Sequence, residues 1–286
     1  MGAAAIALAA LSALVWGTAD YGGGRASRRV SAATATFASQ LIGMPALGLC
    51  LLLVPGSVHL TDMAWGAGAG AAGCLGLILL YRGLSGGSMS VVAPVTAVTG
   101  AVVPVLFGLA TAERPHALAL VGVGCAIAAI ALVSLVPGNG AGAAIRASAI
   151  GTALLSGAMF GLFFVLLDRT ADDSGLWPLL AARGASIPLA LALVLAQREA
   201  ILPRAALPGR GGITPWLILS GVGDITANAL YLLAAREGLL TVVAPVAALY
   251  PVSTVLLALA IDREHVRSVQ VAGLGLAAMA LVFTAL

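Results

Sequence analysis

The hydrophobic positions of the chain fall into long runs, separated by short segments that hold most of the charged residues, prolines and glycine clusters. A bilayer core of about 30 Å is crossed by a helix of about 20 mostly apolar residues. Applied along the chain, this window predicts ten membrane-spanning helices and therefore an all-α membrane protein. The predicted spans are 3–21, 31–54, 63–82, 88–110, 117–136, 147–167, 175–196, 213–235, 239–260 and 266–285.

One stretch of sequence occurs twice. "SVVAPVTAVT" begins at Ser90, and "TVVAPVAALY" begins at Thr241, 151 residues later. The pattern predicts two repeats, 1–140 (spans 1–5) and 141–286 (spans 6–10). Because five is odd, the second copy enters the membrane from the opposite side. Inverted repeats of this kind are typical of secondary transporters, which bind substrate at the repeat interface. A duplicated membrane scaffold without transport is the alternative.

The first span also fits this duplication. Met1–Ala19 has no basic segment at its start, and Trp16-Gly17 is echoed by Phe160-Gly161 in the sixth span. We therefore expect the first span to belong to the fold and not to a cleaved signal peptide.

Composition excludes several functional classes. The chain is 61% hydrophobic and 9% charged with a mean hydropathy of +1.09, which excludes a soluble protein. It contains no lysine, so it has no Walker A loop, and we expect no nucleotide hydrolysis. The net charge of +3 comes without a basic run, so we expect no nucleic-acid partner. His59, His116 and His265 fall in separate connections, so no metal site is predicted.

Two ionisable residues lie well inside predicted spans, Arg183 in the seventh and Asp224 in the eighth. Charges at membrane depth are costly, which makes them candidates for function. Asp224, Asn228 and Tyr231 share one helical face because their spacing is i, i+4, i+7. We predict that this face binds substrate, with Asp224 a candidate proton carrier. The alternative is a structural ion pair between Asp224 and Arg183.

Other residues are predicted to contribute to the same cavity. The planar guanidinium of Arg183 is suited to an anionic substrate group, or the side chain extends towards the membrane surface. Trp16, Phe160, Thr99 and Tyr250 are candidates for aromatic and hydroxyl groups of the wall, although a tryptophan near a span end is also a common interfacial anchor.

Prolines and glycines mark the remaining features. Pro94 and Pro245 lie early in the fourth and ninth spans, followed by Pro104 and Pro251. They predict kinks, which serve either gating or an inherited packing arrangement. "GAGAGAAG", which begins at Gly66, is interpreted as a helix-packing surface and not as a phosphate loop.

Several motifs resemble a known family. "ALVWGTAD", "SVVAPVTAV" leading to "ATAER", and "TVVAPVAALYPV" leading to "IDREH" resemble EamA-type repeats of the drug/metabolite transporter superfamily. The family's usual Leu-Gly-Glu is present only as Glu113 and Glu264. The resemblance implies ten helices in two inverted bundles, a central cavity lined mainly by spans 1, 3, 4, 6, 8 and 9, and export of small metabolites.

The combined prediction is a secondary transporter that exports an amino acid-like or drug-like metabolite across the bacterial cytoplasmic membrane by alternating access, without chemistry on the substrate. Its partners are the small-molecule substrate and the lipid bilayer, with a homodimer as a further option. No cofactor is expected beyond a coupling proton. A non-transporting sensor or partner subunit is one alternative, and a membrane-embedded enzyme is another.

Two signals disagree on the orientation of the termini. Of the thirteen arginines outside the seventh span, ten fall on the side of the connection between spans 1 and 2. The positive-inside rule then predicts both termini outside the cell. The family resemblance implies both termini in the cytoplasm.

Overall fold

A computed structural model describes residues 3–85, 89–134, 147–201, 212–262 and 268–286, and these residues contain helices and no strands. The helices are connected by short segments, one of which includes a 3₁₀ turn, Asp172–Ser174. The α-helices are α1 (Ala3–Ser27), α2 (Ala32–Leu53), α3 (Leu60–Ser85), α4 (Met89–Ala110), α5 (Ala117–Ser134), α6 (Ala147–Asp168), α7 (Trp177–Ala196), α8 (Thr214–Glu237), α9 (Leu240–Ala247), α10 (Tyr250–Asp262) and α11 (Ser268–Ala285).

Eight of the described helices are long and apolar enough to cross a membrane. Two shorter apolar stretches, Val95–Ala110 and Leu240–Thr254, coincide with the predicted fourth and ninth spans. The chain is therefore a multi-pass, all-helical membrane protein, as the sequence predicts.

The predicted end of the first span at residue 21 is wrong, because α1 continues through Gly22–Gly24 to Ser27. These glycines were expected to break the helix. Instead they allow α1 to approach α8 closely: a Cβ at Gly22 would lie 2.9 Å from the carbonyl oxygen of Trp216. The extension places Asp20 inside the helix and not at its end.

The ninth predicted span is interrupted between the two prolines that predict kinks in it. It is divided into α9 and α10, with the break at Ala248 and Leu249. Pro245 lies inside α9, and Pro251 is the second residue of α10, where its missing amide costs no helical hydrogen bond. The corresponding α4 remains helical through Pro94 and Pro104. The break is thus confined to the second half.

The glycine-rich stretch of α3 packs against α7. A Cβ at Gly66 would lie 2.8 Å from the Pro178 Cα, and one at Gly70 would lie 2.6 Å from the Ala182 Cα. Small residues at this spacing let two helix backbones meet. The interpretation of "GAGAGAAG" as a packing surface is confirmed.

Helices from the two halves of the chain are packed against each other throughout the bundle. α1 lies along α8 and contacts α10, while α3 lies along α6 and α7, and α4 lies along α6. The largest buried cluster accordingly contains residues of both halves, including Ala9, Leu47, Phe164 and Tyr231.

Candidate substrate-binding site

Asp224, near the middle of α8, joins three helices through its carboxylate. Its Oδ1 atom accepts a hydrogen bond from the Trp16 indole Nε1–H of α1 at 3.0 Å. Its Oδ2 atom pairs with the guanidinium of Arg183 on α7. The ion pair predicted as the structural alternative therefore exists. The Asp224 side chain is 35% exposed and that of Arg183 is 12% exposed, so the pair is reached mainly from the Asp224 side.

Small residues bring these helices close enough for the contacts to form. A Cβ at Gly223 would lie 3.0 Å from the Ala19 Cβ, so α8 touches α1 directly beside Asp224. Two residues earlier in α8, a Cβ at Gly221 would lie 3.0 Å from the Gly43 amide nitrogen of α2. The glycines of α8 thus pack the helix closely against α1 and α2 next to its mid-helix carboxylate.

An aromatic cluster surrounds the Trp16 ring. Its centroid lies 6.2 Å from that of Tyr231 in a stacked arrangement and 6.3 Å from that of Tyr250 in an edge-to-face arrangement. Phe163 and Phe164 on α6 complete the cluster, at 6.3 and 5.7 Å from Trp16. The indole that binds Asp224 is therefore fixed by aromatic side chains from α6, α8 and α10.

Asn228 and Tyr231 lie on the Asp224 face of α8, but both are buried in this conformation, with 4% and 0% exposure. The Asn228 amide donates to the Asp224 backbone carbonyl at 2.6 Å. The Tyr231 hydroxyl donates to the Phe164 carbonyl at 3.0 Å. Both polar groups are satisfied inside the protein, and their contact with substrate stays a prediction.

Phe160 and Thr99 lie in a different interface, between α3, α4 and α6. The Thr99 hydroxyl donates to the Val95 carbonyl at 2.7 Å. The Phe160 ring would lie 3.2 Å from a Cβ at Gly76. No described contact joins either residue to Asp224.

Gln40 on α2 extends the polar surface next to Arg183. Its Oε1 atom accepts a hydrogen bond from the Ser186 hydroxyl at 2.9 Å. Ser186 lies three residues after Arg183 on α7, which places both on the same side of the helix. The amide and the ion pair thus occupy neighbouring turns between α2, α7 and α8.

Asp20 is the site residue that the sequence reasoning missed. It lies one turn after Trp16 on α1, its side chain is exposed, and its charge interacts with that of Asp224. Within the described ranges no hydrogen-bond or ion-pair partner holds its carboxylate. The spacing in "WGTADY" places Trp16 and Asp20 on one helical face, because they are four residues apart. Asp20 was not considered as a site residue because the first span was predicted to end at residue 21.

One end of the bundle is closed by contacts between connections of the two halves. This Glu113 end consists of residues 54–59, 111–116, 169–176 and 238–239. The Glu113 carboxylate accepts the backbone amides of Leu240 at 3.0 Å and Thr241 at 2.8 Å, and it binds the Thr241 hydroxyl. It therefore caps the first turn of α9, where the helix dipole favours a negative charge.

The same end is closed further by the connections that precede α3 and α7. The Ser57 amide donates to the Asp173 carbonyl at 2.7 Å. Asp62 accepts the Ala171 amide at 3.2 Å, and Arg236 binds the same connection through Ser174. The contacts of Ser57 and Asp62 join the first half to the second. The contact of Arg236 lies within the second half and fixes the connection before α7.

The described residues contain no group of three or more His, Cys, Asp or Glu side chains arranged to hold a metal ion. An apolar cavity of about 90 Å³ lies beside the break between α9 and α10 and is lined by residues such as Ala10, Leu14 and Leu249. Its wall can contact an apolar group but carries no charge. The charged groups that could recognise a substrate are therefore those around Asp224.

A profile of the EamA-like transporter family matches the chain twice, over residues 3–135 and 147–286. The chain belongs to this family. A solved crystal structure shares the fold of this EamA-family protein, with a TM-score of 0.79 and 14% sequence identity over 99% of this chain and 96% of the other. Among curated proteins, no sequence matches.

Family membership makes the protein a membrane transporter of small molecules. In this EamA-family protein the polar cluster joins α1 of the first matched stretch to α7 and α8 of the second. Its residues were partly predictable from the sequence, because Asp224 and Arg183 are charges inside apolar runs. Trp16 was predicted as part of the cavity wall, but its hydrogen bond to Asp224 required the structure.

Proposed function

We propose that the protein is a secondary transporter that exports a small organic metabolite, amino acid-like or drug-like, across the bacterial cytoplasmic membrane by alternating access. The observation that carries the proposal is the cluster of Trp16, Arg183 and Asp224. It lies between helices of the two halves, near the middle of their lengths, and it contains the costly charges that membrane helices retain for function.

The proposal includes ten spans in two inverted repeats. The contacts between halves support this arrangement, because they come in pairs that an exchange of the halves would interconvert. α1 packs on α8 as α3 packs on α6, and α2 packs on α8 as α7 packs on α3. α5 packs on α11, its own counterpart. A pseudo-two-fold axis would produce such a pattern.

Alternating access requires one end of the bundle to close while the other opens. The Glu113 end has the contacts of a closed gate, because Glu113 and Asp62 of the first half bind backbone amides of the second half. To open this end, these hydrogen bonds must break as one half tilts against the other. We propose that, in the conformation described, substrate reaches and leaves the site around Asp224 through the opposite end of the bundle.

For the coupling ion we propose a proton. The Asp224 carboxylate is already engaged by the Trp16 indole and the Arg183 guanidinium, so we propose that its role is to hold the cluster together. Asp20 is the better proton carrier, because it is exposed and unpaired within the described part of the chain. The titratable groups that face it are Asp224 on α8 and Tyr250 on α10.

The test is flux in proteoliposomes that hold the purified protein, with a pooled panel of amino acids, sugars, purines and drug-like amines under an imposed pH gradient. Asp224→Asn runs in parallel with Glu237→Gln, a control at an exposed position. Flux of one class that is lost only in Asp224→Asn supports the proposal. Tight binding of a panel member without flux identifies a sensor, and chemical conversion of the compound inside the vesicles identifies an enzyme.

We propose that both termini lie in the cytoplasm, as the family resemblance implies. The Glu113 end then faces the cytoplasm, because α1 begins and α11 ends there. A membrane-impermeant thiol reagent applied to intact cells that carry Glu237→Cys, with the three native cysteines replaced, tests the assignment. Glu237 is an exposed residue at this end. Labelling before cell lysis would reverse the orientation.

A further inference from the structure

The charges around the Trp16 ring do not balance. Arg183 is engaged by Asp224, so this pair is neutral as a unit. Asp20 adds a second carboxylate within electrostatic range of Asp224, and no described cation pairs with it. The site therefore has one net negative charge when all three groups are ionised.

This charge lies inside the bundle and not at its edge. Asp20 is seven residues before the end of α1, and its neighbour Ala19 packs against Gly223, next to Asp224. A carboxylate that faces lipid at this depth would be strongly disfavoured. The side chain is exposed, and from the cost of a charge in lipid we infer that it faces a space that a proton or a ligand can reach.

Aromatic side chains line the same space. Trp16 lies one turn from Asp20 on α1, and the Tyr250 side chain of α10 lies within electrostatic range of Asp20. The centroids of the two rings are 6.3 Å apart in an edge-to-face arrangement. Electron-rich ring faces next to a carboxylate are the surroundings that bind ammonium groups in proteins.

We propose that the substrate is a monovalent organic cation, an amine or quaternary ammonium compound, whose positive charge binds Asp20 beside the contacting rings of Trp16 and Tyr250 while the Asp224–Arg183 pair stays intact. The inference rests on the proposed transport function and adds the substrate class. An anionic substrate would meet repulsion from Asp20 and an arginine already engaged. A neutral substrate would leave the Asp20 charge uncompensated.

The test uses four compounds that share one phenyl ring and differ in charge. Phenethyltrimethylammonium is a fixed cation, phenethylamine a protonated amine, phenylalanine a zwitterion and phenylpropionate an anion. Binding is measured on the purified wild-type protein in detergent, and flux is measured in proteoliposomes. We expect the two cations to bind at least tenfold more tightly than the anion. The affinity of the zwitterion should lie between that of the cations and that of the anion.

Two substitutions locate the binding charge. Asp20→Asn removes it with little change of shape, and we expect cation binding to weaken at least tenfold. Asp20→Glu keeps the charge and should retain binding within a few-fold of wild type. Glu237→Gln makes the same carboxylate-to-amide change at an exposed position and should leave binding unchanged.

The outcomes separate this inference from the function on which it rests. Transport of the anion or the zwitterion in preference to both cations overturns the cation assignment and leaves the transporter intact. Undiminished cation binding in Asp20→Asn overturns the assignment to Asp20. Cation binding without any flux overturns the transport proposal but supports the charge preference. If Asp20→Asn does not fold, the wild-type charge series alone decides.

Discussion

The carboxylate of Glu113, just beyond the end of α4, holds the first turn of α9 in the other half of the chain through the backbone amide of Thr241 at 2.8 Å. The two residues are 128 positions apart in sequence. A single side chain thus caps a helix that it does not precede, and it does so at the closed end of the bundle.

Replacing Glu113 with Ala should therefore destabilise the protein. The variant leaves the amides of Leu240 and Thr241 without their acceptor, at a cost of about 2 kcal/mol in the free energy of unfolding. Denaturant unfolding in detergent measures the change. Glu237→Ala, an exposed glutamate at the same end, is the matched control and should change stability by less than about 0.5 kcal/mol. Equal losses in both variants would contradict the capping role.

The Asp224–Arg183 pair should show strong energetic coupling. Asp224→Asn or Arg183→Gln alone leaves one charge without its partner, which we expect to cost about 1–3 kcal/mol after allowance for the partial exposure of Asp224. The double variant should cost at least about 1 kcal/mol less than the two single losses together. Unfolding free energies of all four proteins give the coupling.

The surface pair of His59 and Asp173 supplies the reference for that cycle. Its side chains are 42% and 64% exposed, and the contact distance is 3.0 Å. Because water screens such a pair, its coupling should be no more than about 0.5 kcal/mol. A coupling for Asp224 and Arg183 no larger than this value would mean that the ion pair does not organise the site.

The sequence predicted the helical membrane fold and the charges at its centre, because both depend on local composition. Asp224 and Arg183 are recognisable without a structure, since a charge in an apolar run is costly wherever the helix lies. The repeated "VVAP" stretch likewise indicated two related halves.

The errors came from features that depend on tertiary contact. Gly22 and its neighbours have the local character of a helix end, yet close packing against α8 keeps them helical, so Asp20 was taken for a residue at the end of its span. The prolines predicted kinks in both halves, but only the ninth span is broken, whereas α4 stays intact with the same proline motif. Glu113 was noticed only as a remnant of a family motif, because its partner is distant in sequence.

Trp16→Phe separates the hydrogen bond of the indole from its ring. The variant keeps an aromatic side chain against Tyr231 and Tyr250 but removes the donor to Asp224. We expect a loss of about 1–2 kcal/mol in unfolding free energy, since the carboxylate loses one of its two partners. Trp65→Phe, at an exposed position, is the control and should have little effect. A smaller loss in Trp16→Phe than in the control would contradict the bond's role.

The close backbone contact between α3 and α7 predicts that two Gly→Ala substitutions, one inside the contact and one outside it, change the free energy of unfolding differently. Gly70→Ala would place a Cβ 2.6 Å from the Ala182 Cα, so α7, which holds Arg183, must move away. We expect a loss of about 1–3 kcal/mol. Gly48→Ala lies inside α2 with nothing within 4 Å, so it should be neutral or stabilise by up to about 1 kcal/mol, because alanine favours the helix. Unfolding free energies measure both changes.

Because a shift of α7 displaces the guanidinium from Asp224, Gly70→Ala should also weaken substrate binding, whereas Gly48→Ala should leave it unchanged. Equal stability of the two variants would contradict the close backbone contact between α3 and α7.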